Sequence, residues 1–408
     1  MGSNSMILRL SLLLAALLGS TAAMADISNG TVRIGVLTDM SGPYTDNNGA
    51  GAVEAARMAV EDFGGKAAGR PVDVVYADHQ NRSDVGLGIA RRWYDTEGVD
   101  AITEVGNSGV ALAVQQLTRD KNKVLLATGA GTPDLTGKAC SPVGVQWAYD
   151  NYALANIATA PLVKSGLDSW YFLTADYSFG QTLESEATKV IEANGGKVLG
   201  AARHPLNSSD FASYLLQAQA SKAKAIGFAN SGNDMANALK QANEFGIMKG
   251  GQSIVALLVT LPDVHSLGLD IAKGLIFADS FYWDATDETR VWSKRFMKRF
   301  GGKAPTSFQA AVYGAVLHYL KAVDATGSDE GTTVVGSMRK IPINDFYTKN
   351  GSIREDGRVL RNMYLLQVKE PNESKYTWDY YKVLETVPGD KAFRPMALGG
   401  CPLVNAAK

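Results

Sequence analysis

The chain has 408 residues, with 40 Lys and Arg against 41 Asp and Glu, which leaves a formal net charge of −1. This balance excludes the concentrated positive charge that partners such as nucleic acids or anionic lipid surfaces require. The length indicates two domains rather than one.

The N-terminal residues 1–25 have the features of an export leader. Residues 1–6, MGSNSM, are read as a cloning remnant, and an apolar core follows at 10–18. The small residues AMA at 23–25 form a cleavage site, which predicts a mature chain that begins at Asp26. A membrane anchor is the alternative, but a spanning helix needs roughly 20 apolar residues. The sequence therefore predicts an exported protein.

Short apolar strands alternate with helical patterns in the first part of the chain. The predicted strands are at 31–37, 72–78, 99–105, 123–129 and 143–149. They are rich in Val, Ile and Leu without polar alternation, which is typical of parallel strands that helices cover on both faces.

The same alternation then starts again. Further strands are predicted at 169–176, 197–203, 224–230, 253–259 and 274–281. Two successive series of this kind predict an α/β fold of two doubly wound parallel-sheet lobes.

The rest of the chain is helical at 287–302 and 306–327 and rich in strands near its end. We expect this late segment to complete the first lobe, so that both lobes are discontinuous and crossing strands form a hinge. The predicted bounds are 26–147 with 282–350 for the N-terminal lobe, 148–281 with 351–390 for the C-terminal lobe, and 391–408 for a tail tethered near the hinge.

Catalytic motifs fail at specific positions. The segment GNSG at 106–109 lacks the last glycine of a nucleophile elbow, because position 110 is valine. The segment GAGTPD at 129–134 ends in aspartate where the dinucleotide pattern needs glycine. The four histidines are isolated and lack metal-ligand spacing. The sequence therefore predicts neither an enzyme nor a cofactor or metal site.

Polar loops follow the strands of both series, among them LLATGAGTPDLT at 125–136 and FANSGND at 228–234, which contains Ser231. Ligands of doubly wound sheets bind at the carboxyl ends of the strands. Helix N-termini with adjacent hydroxyls bind carboxylates and other oxyanions. The alternative is that each hydroxyl caps its own helix. Because several such loops converge on one edge, we favour a binding cleft.

The chain contains two cysteines, Cys140 and Cys401, each in a proline-marked turn. In an exported protein such a pair predicts a disulfide, and two unrelated thiols are the alternative.

The segments 33–78, 103–136 and 171–183 together resemble the periplasmic solute-binding proteins of the branched-chain amino acid type, which deliver solutes to ABC importers. The likeness covers nearly the whole mature chain. It implies a type I periplasmic binding protein: two α/β lobes, a hinge of three crossing strands and Venus-flytrap closure on a ligand. It also implies a periplasmic location, a membrane permease as partner and no cofactor, and we expect a monomer.

The resemblance also assigns roles to individual residues. The segment VGNSGV matches the family segment that holds a ligand carboxylate, and TGAGT matches the next one. Aromatic residues of both lobes match those that cover the ligand. The implied contacts are Asn107, Ser108, Ala130, Gly131, Thr132, Tyr44 and Phe179.

The sequence departs from the family pattern at one position. Amino acid receptors carry a second-lobe acid that pairs with the ligand ammonium, but the corresponding segment SIVALLVTLPD is apolar until Asp263. A buried ammonium without an acceptor is unfavourable by several kcal/mol. Either another acid takes this role, or the ligand has no ammonium. The candidate acids are Asp176, Asp234 and Asp279.

The segment FYW at 281–283 places Phe281 and Trp283 at the expected lobe crossing, where they either contact the ligand or pack into the hinge. The sequence thus favours a receptor for a small organic carboxylate, with an aromatic body as one option. Two alternatives stay open. One is an amino acid or amide receptor of the same family, and the other is a sensor module for a membrane signalling protein.

Overall fold

The computed structural model describes residues 27–405, so the predicted leader lies outside the described residues. Its first sheet has the strand order β2-β3-β1-β4-β5-β6, in which only the short β2 is antiparallel to its neighbour. The strands are β1 Val32–Thr38, β2 Lys66–Ala67, β3 Arg70–Asp78, β4 Ala101–Glu104, β5 Val124–Ala127 and β6 Gly144–Gln146, and the helices are α1 Gly49–Phe63, α2 Ser83–Arg92 and α3 Ser108–Lys121.

The second sheet has the order β10-β9-β7-β8, with every pair parallel. Its strands are β7 Ser169–Ala175, β8 Lys197–His204, β9 Ala225–Ala229 and β10 Ser253–Ala256. The helices are α4 Asn151–Lys164, α5 Ser178–Ala193, α6 Ala212–Ala220, α7 Gly232–Glu244, α8 Leu261–Leu267 and α9 Leu269–Ala272.

Burial explains the apolar runs in the sequence. The central strands β4, β5 and β9 are buried at every position, whereas the β3 and β8 strands are partly exposed. Strands covered on both faces need apolar residues throughout, as in parallel α/β sheets. The predicted fold class is confirmed, with two doubly wound lobes.

The remaining strands form a three-stranded and a two-stranded antiparallel sheet, and several helices accompany them. The strands are β11 Ile276–Asp279, β12 Ser352–Ile353, β13 Val359–Leu360, β14 Met363–Val368 and β15 Tyr381–Val387, and the helices are α10 Asp287–Arg299, α11 Ser307–Thr326, α12 Gly331–Met338, α13 Gly389–Ala392 and α14 Pro402–Asn405. None of the helices within 27–405 is long and apolar enough to cross a bilayer.

The predicted pairing of one strand was wrong. The segment 274–281 was expected to extend the second parallel series, but β11 pairs antiparallel with β14. The physical reason is the route of the chain. It leaves the second lobe after β11, and β14 returns from the opposite direction without a crossover helix on that sheet.

The long helix α11 packs on α1 of the first lobe, although about 240 residues separate them in sequence. Thr306 caps its start by accepting a hydrogen bond from the Gln309 N–H at 3.3 Å, and Gly327 ends it in a left-handed conformation. Its buried residues cover most of its circumference. The lobe bounds predicted above stay a prediction.

The chain passes from the first parallel sheet to α4, which precedes the second sheet, through residues 147–150. A later segment runs beside this connection, because Gln146 and Arg358 form a parallel bridge. The fully buried Arg358 guanidinium donates to the Tyr149 carbonyl at 2.8 Å and lies 4.5 Å from the centre of the Phe393 ring. These contacts fix the hinge against the C-terminal tail.

The tail is also covalently attached. Cys140 and Cys401 form a disulfide with their Cα atoms 5.6 Å apart, and both residues are buried. The predicted disulfide is confirmed.

Candidate ligand-binding site

A narrow cavity lies between the lobes, and its enclosed space is about the size of one water molecule. It lies at the carboxyl ends of the strands of both parallel sheets, where doubly wound folds bind ligands. The lining residues are Tyr44, Asn47, Asn48, Gly106, Gly129, Tyr149, Tyr177, Phe179, Ser231, Leu258 and Phe308.

The loop after β1 carries the first lobe's aromatic side chain into the cavity. The buried Asp39 carboxylate holds this loop, because it accepts hydrogen bonds from the N–H of Gly42 at 2.7 Å and of Tyr44 at 2.9 Å. The side chain of Asn81 donates to the same carboxylate at 2.6 Å. Tyr44 is consequently only 5% exposed.

Direct contacts across the cleft show a closed conformation. The hydroxyls of Tyr44 and Tyr177 are 2.5 Å apart, and the Thr260 hydroxyl donates to Asn47 Oδ1 at 2.9 Å. The Asn233 N–H donates to the Pro43 carbonyl at 3.2 Å. The first-lobe loop thus touches the start of α7 and the capped start of α8 in the second lobe.

Glycine is required where the cavity wall approaches a buried carboxyl group. A Cβ atom on Gly129 would lie 2.2 Å from Glu104 Oε1 and 2.7 Å from the Gly106 Cα. The Tyr149 hydroxyl donates to the Gly129 carbonyl at 2.8 Å and so fixes this wall from the hinge. The opening glycine of GAGT is therefore needed for close packing.

The predicted carboxylate cradle is assembled around the start of α3. Asn107 Oδ1 accepts from the N–H groups of Gly109 at 2.9 Å and Val110 at 3.2 Å. This side chain therefore caps its own helix, which is the alternative role considered for these loops. The Ser108 hydroxyl accepts from the Thr132 N–H at 3.2 Å and is fully buried.

Thr132 has the same arrangement as Ser108. Its hydroxyl accepts from the Asp134 N–H at 3.4 Å, which leaves the hydroxyl hydrogen available to donate. The carbonyls of Ala130 and Gly131 accept from Gln146 Nε2 at 2.9 Å and from the Asn151 N–H at 2.7 Å. None of these residues is among those that line the cavity, although Gly106 and Gly129 of the same loops are.

The remaining predicted contacts divide into two groups. Tyr44, Phe179 and Ser231 line the cavity. Phe281 and Trp283 do not, because Phe281 packs 5.8 Å from the Tyr347 ring and Trp283 Nε1 donates to the Trp378 carbonyl at 2.9 Å. The structure places these two aromatics in the packing beside the hinge.

None of the candidate ammonium partners among the described residues lines the cavity. Asp176 is exposed and accepts from Gln181 Nε2 at 2.9 Å, and Asp263 accepts from the Thr260 N–H at 2.9 Å. The Asp234 carboxylate accepts from two backbone N–H groups, and burial raises its pKa to about 6. Burial likewise raises the pKa of Asp279 to about 7, and this residue accepts from the Ser280 N–H.

Sequence reasoning missed most of the polar and aromatic lining. Asn47 and Asn48 follow Tyr44 in the same polar loop, and Tyr177 lies two residues before Phe179, so proximity to predicted contacts was a usable signal. Phe308 had no local signal, because it reaches the cavity from the start of α11.

We predict that replacing Tyr44 with Phe weakens ligand binding about fivefold. The substitution removes the hydrogen bond across the cleft and leaves the Tyr177 hydroxyl without its partner, at about 1 kcal/mol. The Tyr44→Phe/Tyr177→Phe double variant should recover part of the loss, because no hydroxyl is then orphaned. Calorimetric affinities of the wild type and these variants test this, and equal affinities in all of them would contradict it.

Comparison with known proteins agrees with this architecture. Residues 31–375 match a family profile described as periplasmic binding protein. A crystal structure of a periplasmic binding protein from Burkholderia mallei is 49% identical, with a TM-score of 0.90 over 92% of this chain and 99% of that one. A branched chain amino acid ABC transporter periplasmic ligand-binding protein from Burkholderia xenovorans is 40% identical, with a TM-score of 0.81 over 91% and 99%.

A curated relative, the Leu/Ile/Val-binding protein homolog 6 of Brucella melitensis, is 23% identical over 92% of this chain and 96% of its own length. The matched proteins are solute-binding proteins rather than enzymes. With the profile spanning most of the chain and both lobes matched, the chain belongs to the periplasmic binding protein family and is a ligand-binding receptor of the ABC transporter type.

Proposed function

We propose that this receptor binds a small organic carboxylate between its lobes and delivers it, as a monomer in the periplasm, to the permease of an ABC importer. One observation carries the proposal: five aromatic rings surround the cavity, and no acid of the second lobe lines it among the described residues. The rings belong to Tyr44, Tyr149, Tyr177, Phe179 and Phe308.

The aromatic lining favours a ligand with a flat or branched apolar body. Aromatic side chains bury a large apolar surface and prefer offset or edge-to-face contact with another ring. The Tyr149 and Phe308 rings already have this relation, with centroids 5.6 Å apart and planes tilted by 54°.

Hydrogen-bond donors for a carboxylate are available nearby. The buried Asn47 Nδ2 group has no partner within residues 27–405. The hydroxyls of Ser108 and Thr132 accept backbone hydrogen bonds and so keep a hydrogen to donate. A hydrogen bond to a charged ligand group contributes roughly 1.5–3 kcal/mol. Asn47 lines the cavity, whereas Ser108 and Thr132 lie two and three residues beyond the lining glycines Gly106 and Gly129. Three such bonds would support micromolar or tighter binding after the entropic cost of closure.

An amino acid or amide ligand is the second candidate. The 40% identical relative from B. xenovorans is described as a branched chain amino acid binding protein, which favours this candidate. A role as the sensor of a membrane signalling protein is compatible with the same fold. Deletion of the gene distinguishes import from sensing, because only an importer component is required for uptake of the ligand.

Mass spectrometry of the ligand that copurifies with the protein, followed by a thermal-shift screen, tests the proposal. We expect a carboxylic acid without an α-amino group, and we expect acids of this kind to raise the unfolding temperature in proportion to their affinity. A copurified amino acid, with stabilisation by amino acids alone, would contradict the proposal.

A further inference from the structure

A buried carboxyl group lies against the cavity wall and is absent from the roles described so far. Glu104 ends β4 and has no solvent-exposed surface. Its Oε2 atom accepts a hydrogen bond from the Gly106 N–H at 3.1 Å. Its Oε1 atom has no hydrogen-bond partner within residues 27–405. A buried polar atom of this kind is unfavourable unless a ligand or water satisfies it.

The unpartnered oxygen is directed at the residues that form the cavity wall. Cβ positions built on Gly129 and Gly106 would lie 2.2 Å and 3.0 Å from Oε1, and both glycines line the cavity. The Asn48 side chain, also in the lining, lies beside the same two glycines. Glu104 itself does not line the cavity, but its Oε1 atom lies immediately next to two glycines that do, and these glycines have no side chain to block it.

The surroundings of Glu104 favour its neutral form. Burial raises its pKa to about 8 and outweighs the nearby Thr38 hydroxyl and the hydrogen bond from the Gly106 N–H, which lower the pKa, while the nearby Asp39 carboxylate adds to the rise. The Tyr149 hydroxyl lies on the cavity side and is itself a neutral donor to the Gly129 carbonyl. Beyond Asp39, burial lowers the pKa of His79 to about 4, so this histidine supplies no positive charge. No Lys, Arg or His is among the described residues that line the cavity.

The backbone at this position is held in an uncommon conformation. Glu104 and Val105 have φ angles of +78° and +53°, in the left-handed region that non-glycine residues rarely adopt. Such residues cost about 1–3 kcal/mol each and occur most often at functional sites. Two backbone hydrogen bonds hold this conformation. The Val105 N–H donates to the Leu37 carbonyl, and the Thr128 N–H donates to the Glu104 carbonyl.

We propose that Glu104 is a specificity-determining residue, a neutral carboxylic acid whose Oε1–H donates a hydrogen bond to the carboxylate of the ligand. The proposal rests on the proposed function, since it names the group that recognises the acid. The geometry fits this assignment: Oε2 accepts from the Gly106 N–H, and Oε1, which then carries the hydrogen, has no hydrogen-bond partner within residues 27–405. The ligand carboxylate supplies that acceptor.

This arrangement makes carboxylate binding depend on pH. If only the protonated receptor binds, the apparent affinity falls with the protonated fraction, about tenfold for each pH unit above the pKa. With a pKa of about 8 for Glu104, binding should be constant from pH 6 to 7 and about tenfold weaker at pH 9. Above pH 6 the ligand carboxylate itself stays ionised.

The test compares the wild type with Glu104→Gln, which keeps a hydrogen-bond donor but does not titrate. The probes are benzoate, 3-phenylpropanoate and 4-methylpentanoate, measured by calorimetry at pH 6, 7 and 9. We expect the variant to bind the best of these probes within about threefold of the wild type at pH 6, because the amide replaces the acid as donor. We also expect it to lose the tenfold weakening at pH 9. Asp176→Asn, which neutralises an exposed acid, is the matched control and should behave like the wild type.

Two results would overturn the inference. One is carboxylate binding with the same pH profile in wild type and Glu104→Gln, which would leave the proposed function intact. The other is strong loss of affinity in Glu104→Gln, together with binding of α-amino acids by the wild type. That result would make Glu104 the ionised partner of an ammonium.

A measurement without ligand separates failure of the inference from failure of the proposed function. Because the folded-state pKa is raised from 4.5 to about 8, the native protein keeps a proton that the unfolded chain releases within this window. Wild-type stability should therefore fall, relative to Glu104→Gln, as pH rises from 4.5 to 8. If wild-type stability falls in this way but the protein binds none of the carboxylates, Glu104 is a neutral buried acid. The proposed function, and with it the ligand role of Glu104, is then refuted. A flat difference would refute the neutral acid itself.

Discussion

Replacing both Cys140 and Cys401 with serine should lower the free energy of unfolding by about 5 kcal/mol in the chain-entropy treatment of crosslinks. The disulfide joins residues 261 positions apart and therefore restricts most of the unfolded chain. In the folded state the disulfide holds the end of the tail on the first lobe. A hydrogen bond from Arg394 to the Pro133 carbonyl at 3.3 Å is a further contact between the tail and this lobe.

Chemical denaturation of the oxidised wild type, the reduced wild type and the double serine variant measures this effect. The reduced protein and the variant should have the same midpoint, well below that of the oxidised protein, because they share an unrestricted unfolded chain. Equal midpoints for all three, or two alkylatable thiols in unreduced protein, would contradict the prediction.

The Ser108→Ala/Thr132→Ala double variant should lose roughly 2–5 kcal/mol of binding free energy, which is about a 30-fold to several-thousand-fold loss of affinity. Each hydroxyl accepts one backbone hydrogen bond and keeps a hydrogen for the ligand carboxylate. The folded state loses about 2 kcal/mol, at the lower end of this range, because each hydroxyl makes a single neutral hydrogen bond that contributes about 1 kcal/mol.

Ser141→Ala is the matched control for this variant. Ser141 is also buried and accepts from the Val143 N–H at 3.3 Å, but unlike Ser108 and Thr132 it is not within three residues of a glycine that lines the cavity. We expect this control to lose a similar amount of stability for each hydroxyl and no affinity. Unchanged calorimetric affinity in the double variant would show that the carboxylate is held elsewhere.

The fold was predictable because its signals are local. Buried parallel strands such as β9 need an apolar residue at every position, and this composition is visible in the sequence. The pairing of β11 was not predictable in the same way. A four-residue apolar strand looks alike in a parallel or an antiparallel sheet, and its partner β14 lies about 85 residues later.

The site was only partly predictable for a related reason. Tyr44 lies in the loop after β1 and Phe179 in the first turn of α5 after β7, at the strand ends where a doubly wound fold brings ligand contacts together. Phe308 reaches the cavity only because α11 packs on α1. Glu104 ends a strand that appears merely apolar, and its unusual backbone and unpartnered oxygen become visible only when the neighbouring glycines are placed in three dimensions.

The most direct test of the central claim is a paired calorimetric titration of matched ligands. 3-Phenylpropanoate is compared with phenylalanine, and 4-methylpentanoate with leucine, so that each pair differs only in the α-ammonium group. The aromatic cavity without a second-lobe acid predicts that the acid of at least one pair binds at least tenfold more tightly than its amino acid, since a buried ammonium without an acceptor is unfavourable. Tighter binding of phenylalanine or leucine than of the matching acids would contradict the account.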